Sequence, residues 1–115
     1  LFVRIDKSRA CEGSTLAERL ARIDAAPAPP FTIILSDGVD LNDLDMALFH
    51  WLANTAPERD MIRTERGVTF DATVKSPGDA RNDQPVRPWP PIIRMDEKTK
   101  KLVDSRWREY FPGAD

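Results

Sequence analysis

The sequence predicts an α/β layered domain with a mixed, partly parallel sheet flanked by helices, and three observations carry that reading. Strand-like apolar runs alternate along the chain with stretches of helical periodicity. Phe31-Thr32-Ile33-Ile34-Leu35 is almost continuously apolar, which suits a central strand covered on both faces. The helical stretch between the first two strands is long enough for a crossover, and right-handed crossovers set such strands parallel.

Leu1-Phe2-Val3-Arg4-Ile5-Asp6 reads as the first strand, rich in β-branched and aromatic residues. Thr15 and Glu18 have capping-box spacing, so a helix is expected to start at Thr15, with Leu16, Leu20 and Ile23 on one face. Pro27, Pro29 and Pro30 end it, because proline cannot continue the hydrogen-bond ladder. After the central strand, Asp37-Gly38-Val39-Asp40 turns the chain and Asn42 is the expected cap of a helix over 43–54. Asp43 and Asp45 complement the positive end of its dipole.

That helix is apolar on more than one side. Leu44, Leu48, Trp51 and Leu52 make one stripe, while Met46, Phe49 and Ala53 point elsewhere. Such a helix lies either in the middle of its domain or against another chain. The small size of the domain favours a second chain against Met46 and Phe49; cover by a loop or by the C-terminal helix is the other reading. A short strand at Met61-Ile62 and a turn near Gly67 lead into a further strand over Val68–Val74. From Ser76 to Pro91, the prolines at 77, 85, 88, 90 and 91 predict an irregular, extended path. A last helix is expected from Asp96 to Tyr110, with Leu102, Val103, Trp107 and Tyr110 as its apolar face.

A chain of 115 residues, 41% hydrophobic and 31% charged, fits one domain over 1–115 that folds without staples. A net charge of −2 gives no electrostatic reason to expect a nucleic-acid partner. The apolar runs are too short to span a bilayer, and no signal peptide opens the chain, so a cytoplasmic protein is expected. With one cysteine, Cys11, no intrachain disulfide and no cysteine-based metal site can close. The chain opens on Leu1 instead of Met, which suggests a trimmed chain or an excerpt from a longer one.

The residues themselves disclose no active site. No glycine-rich phosphate loop is present, and Gly13-Ser14-Thr15 reads as a turn and cap before it reads as an anion site. His50, the single histidine, lacks a Ser or Cys partner, and a packing role is its usual fate. Cys11 precedes a helix start, which lowers thiol pKa values in general, yet an inert thiol is the plainer reading. Asp6, Asp37 and Asp40 fall at the carboxyl ends of strands, where a divalent cation is conceivable and ordinary turn chemistry is commoner.

Several motifs together resemble one family. The run Phe31–Ala53, an apolar strand entering an Asp-x-Val-Asp turn and then a tryptophan-bearing helix, is similar to the C-terminal domain of UbiD-family decarboxylases. Pro57-Glu58-Arg59-Asp60 is similar to the family's Pro-x-Arg-Asp, and Phe70-Asp71-Ala72-Thr73-Val74-Lys75 to its Ile-Asp-Ala-Thr-x-Lys. Trp89-Pro90 and the Val103–Tyr110 ending follow in the family's order.

The resemblance implies a carboxy-lyase of aromatic or α,β-unsaturated acids, using prenylated FMN with Mn²⁺ and K⁺ in a flavin-binding domain not contained in these residues. It implies that this part closes over the cofactor domain and supplies a homo-oligomer interface, through helix 43–54 and the C-terminal helix. No catalytic or metal-binding residue carries over. Asp71 and Lys75 match family positions, either as substrate-side or interdomain contacts or as a strand-end pair steadying a loop. Only Met61–Gly67 occupies an interval that is longer in many members, so the pocket is expected to be more open or completed by a neighbour. A free-standing, non-catalytic accessory subunit of the same fold is the alternative.

Overall fold

The computed structural model describes residues 1–24, 29–88 and 95–113. Four strands, β1 (Phe2–Ile5), β2 (Phe31–Ser36), β3 (Met61–Thr64) and β4 (Gly67–Asp71), form one sheet in the order β1-β2-β4-β3. β2 pairs in parallel with β1 and with β4, whereas β3 runs antiparallel to β4 at the far edge. The α/β layered architecture with a mixed sheet is therefore present. β2 is the covered strand, buried from Thr32 to Leu35.

The two sheet faces differ in chemistry because β2 sends alternate side chains to opposite sides. Ile33 and Leu35 join Val39, Ala47 and Ala72 in the apolar core, with Phe2, Trp51 and Phe70 packed around them. Helix α2 (Leu44–Asn54) covers this face, and Trp51 meets Phe70 edge-on at 5.2 Å between ring centroids. On the other face, helix α1 (Glu12–Arg22) crosses β4 and β3 with Gly13, Ser14 and Ala17 buried. Small residues are needed there: a Cβ on Gly13 would fall 2.6 Å from Cγ of Asp71.

α1 begins earlier than the capping-box reading places it. Glu12 closes the first turn from within, its carboxylate accepting from Ser8 N at 2.7 Å and Arg9 N at 3.0 Å. Those bonds lower the Glu12 pKa to about 2, Arg9 contributing most. Thr15 lies inside the helix, its N–H donating to Cys11 O, and Glu18 instead binds Arg81 at 2.6 Å. The buried face is thus Gly13-Ser14-Ala17, while Ile23 is exposed.

Asp43, not Asn42, caps α2, accepting from Met46 N at 3.0 Å; Asn42 bonds back to Asp40. The Val68–Val74 strand stops at Asp71, where the chain folds over its own side chains. A short helix α3 (Pro57–Asp60) precedes β3, which extends to Thr64. The proline-rich stretch holds more order than expected. A single 3₁₀ turn spans Pro77–Asp79, and Arg81 and Gln84 bridge around Asn82 and Asp83, both at positive φ as a tight two-residue hairpin requires.

The C-terminal helix is two pieces, α4 (Glu97–Ser105) and α5 (Trp107–Tyr110). Asp96 caps α4 through Thr99, and Ser105 Oγ donates to Leu102 O at 2.8 Å just before the break at Arg106. Its predicted apolar face is turned outward: Leu102, Trp107 and Tyr110 are each about half exposed. Pro27 and Trp89-Pro90-Pro91, given roles by the sequence reading, lie outside the described residues.

Candidate functional site

Two ionic networks sit beside the carboxyl ends of β1, β2 and β4. In the first, Asp71 Oδ1 accepts from Thr73 N at 3.1 Å and Thr73 Oγ at 2.6 Å, drawing the chain into a tight turn. The Lys75 ammonium then folds back, donating to the carbonyls of Asp71 (2.6 Å) and Thr73 (2.9 Å) and lying 3.2 Å from Asp71 Oδ1. It also lies 3.8 Å from Asp60 Oδ1. Asp60 is gripped by the Arg59 fork at 2.9 and 2.7 Å and accepts from Ala56 N at 2.8 Å. Arg59 reaches on to the Pro85 carbonyl.

Two cations and two carboxylates thus balance in a site whose side chains are 1–6% exposed. Burial lowers the Lys75 pKa, opposed by Asp71 and Asp60. Among the described residues its neighbours at hydrogen-bonding distance are carbonyl and carboxylate oxygens, to which the amine donates. The bond to Asp60 raises the Arg59 pKa.

The second network centres on Asp79. Its carboxylate accepts from Lys7 Nζ (2.8 Å), Cys11 N (2.7 Å), Ser76 N (2.7 Å) and Ser76 Oγ (2.8 Å). Burial alone would raise its pKa; the donors outweigh it and hold the carboxyl well below the usual carboxylate range. Lys7 also donates to Val74 O, so this one carboxylate ties the β1–α1 loop to the segment after β4. Cys11 takes a left-handed conformation there (φ 64°), with its Sγ 3.2 Å from Gly78 O.

Between these loops lies a cleft of about 340 Å³, bordered by Lys7, Ser8, Arg9, Ser36, Asp37 and Ser76. The position is the one in which open α/β sheets hold ligands. Its cations are already engaged, Lys7 by Asp79 and Arg9 by Glu12. The hydrogen bonds of Lys7 and Asp79 across these loops hold the chain segments in position.

The structure brings Asp71 and Lys75 together as a buried pair, whose charged ends contact protein groups. Met46 and Phe49 are 44% and 61% exposed on α2. His50 meets Phe49 edge-on and forms no hydrogen bond among the described residues. Asp6, Asp37 and Asp40 do not converge, and no group of acidic, His or Cys side chains able to hold a metal occurs among the described residues. Gly13-Ser14-Thr15 lies within α1 against Asp71, which leaves no room there for another anion. Arg59, Asp60, Lys7 and Asp79 were not singled out as site residues. The Ser76-x-x-Asp79 spacing of a capping box, fully formed here, was the available signal for Asp79.

No helix among the described residues is long and apolar enough to cross a membrane. The chain matches no family model and none of the curated proteins with which it was compared.

Proposed function

We propose that this chain is the C-terminal, oligomerisation and domain-closure part of a UbiD-type non-oxidative decarboxylase of aromatic or α,β-unsaturated carboxylic acids, cytoplasmic and inactive by itself. The observation that carries the reading is the outer face of α2. Leu44, Met46, Phe49 and Leu52 are 58%, 44%, 61% and 73% exposed, apolar surface that costs free energy in water unless covered.

A second observation supports it. Arg59-Asp60 and Asp71-x-Thr73-x-Lys75, two separate motifs of the resemblance, make one buried network, so they act as a single structural unit. In this reading the network stiffens the carboxyl-end loops against which a cofactor domain closes. In this reading, prenylated FMN, Mn²⁺ and K⁺ would be held by the flavin-binding domain that the resemblance implies.

Sedimentation velocity of the chain at micromolar concentration is expected to show self-association, and assays of the isolated chain no decarboxylation. A strict monomer would sink the interface role. The mutual pairing of Arg59, Asp60, Asp71 and Lys75, and of Lys7 with Asp79, equally suits a non-catalytic accessory subunit of the same fold. Reading the coding sequence upstream separates the two: continuation through a flavin-binding domain supports the enzyme part, and a start codon at this point the accessory subunit.

A further inference from the structure

The turn joining β2 to α2 carries a chemistry that neither network uses. Asp37 is the one aspartate in the sequence followed by glycine, and no asparagine is followed by glycine. Both residues are exposed. The Asp37 carboxylate and the Gly38 amide have no hydrogen-bond partner among the described residues. Around Gly38, nothing lies within 4 Å of the position a Cβ would take. A free carboxyl, a free amide nitrogen and an unshielded approach between them are the requirements for intramolecular imide formation.

We propose that Asp37-Gly38 is a site of spontaneous aspartyl isomerisation, and that the isomerised turn releases α2 from β2. The Gly38 nitrogen attacks the Asp37 side-chain carboxyl carbon. A C–N bond forms, the C–OH bond breaks, and the hydroxyl leaves with the amide proton as water. Water then opens the five-membered imide at either carbonyl. One route restores Asp37; the other sends the main chain through the side-chain carbonyl, leaving an isoaspartyl residue with a free α-carboxylate. No oxidant or reductant enters. The product is a substrate for carboxyl methyltransferases that recognise isoaspartyl groups.

The consequence follows from what the turn holds. The isoaspartyl link adds one methylene to the main chain between Ser36 and Val39, which now close with Val39 N donating to Ser36 O at 3.1 Å. Val39 is 3% exposed in the core beside Ala47 of α2, and its carbonyl accepts from Arg4 at 3.2 Å. Lengthening the turn withdraws Val39 from that position and loosens the anchor of α2 on the sheet.

The chain is aged at neutral pH and body temperature, labelled with S-adenosylmethionine and an isoaspartyl methyltransferase, and mapped by peptide fragmentation. Isoaspartate at position 37 is expected severalfold above positions 40, 43 and 83. Gly38→Ala, whose Cβ meets open space at a φ outside the left-handed region, is expected to cut it severalfold while unfolding normally. Label spread evenly over the aspartates, or unchanged ageing of Gly38→Ala, overturns the site. In the aged fraction, faster amide exchange at Val39 and Ala47 is expected; unchanged protection there overturns the release of α2.

Discussion

Gly13 of α1 and Asp71 of β4 are in direct apposition, so that a Cβ on Gly13 would lie 2.6 Å from Asp71 Cγ and 2.7 Å from its Oδ2. The neighbour that would have to move is a buried carboxylate fixed by Thr73 and Lys75, not the free end of a flexible chain. Alanine has the better helix propensity, by about 1 kcal/mol. Gly13→Ala is nevertheless expected to destabilise, by about 1–3 kcal/mol, because overpacking against a fixed group outweighs propensity. Urea unfolding checks the sign, and a more stable variant would show that α1 is free to lift from β4.

The Lys75 ammonium compensates two buried carboxylates. Lys75→Met leaves Asp60 and Asp71 facing one cation, Arg59, and is expected to cost about 3–5 kcal/mol, the range for removing one partner of a buried pair. Adding Asp71→Asn removes the stranded charge and should recover part of that loss. A double-mutant cycle that closes additively would mean that the two residues do not act as a pair.

The fold was legible where local signals and burial agree. Phe31–Leu35 is apolar because β2 has neighbours on both sides and helices on both faces, so its composition encodes its position. The start of α1 was misplaced because its cap is not a side chain at the N-cap. Cys11 instead gives its N–H to Asp79, 68 residues onward, a contact no local window contains. The candidate site was half legible for the same reason. Asp71 and Lys75 stand in one short motif, whereas Asp60 reaches Lys75 only through the pairing of β3 with β4. Arg59 then secures the proline-rich segment through Pro85, a backbone contact that residue identity does not announce.

Acid should unfold the protein in a defined window. Asp79 and Glu12 both have folded-state pKa values below their ordinary ones, Glu12 at about 2. Between the two values of each group the unfolded chain binds more protons, so stability falls as pH falls. The contribution is complete above the unfolded carboxylate values, about 3.9 for Asp and about 4.3 for Glu, and is lost progressively below them. Asp79→Asn is expected to lower stability at neutral pH and to flatten its dependence below about pH 4. Thermal unfolding against pH checks this, and a variant with an undiminished acid slope would remove Asp79 as a cause.

α2 has two apolar sides that should answer differently to mutation. Trp51 packs on Phe70 against the sheet, and Trp51→Ala is expected to cost about 2–4 kcal/mol of stability by opening the core. Met46 and Phe49 contribute little to that core, being 44% and 61% exposed, so Met46→Ser with Phe49→Ser should leave urea unfolding of the monomer within about 0.5 kcal/mol. The same double variant is expected to weaken self-association in sedimentation, since it removes the centre of the exposed patch. Loss of stability without loss of association would place Met46 and Phe49 in the fold. Unchanged association with unchanged stability would move the contact surface away from α2, toward Leu102, Trp107 and Tyr110.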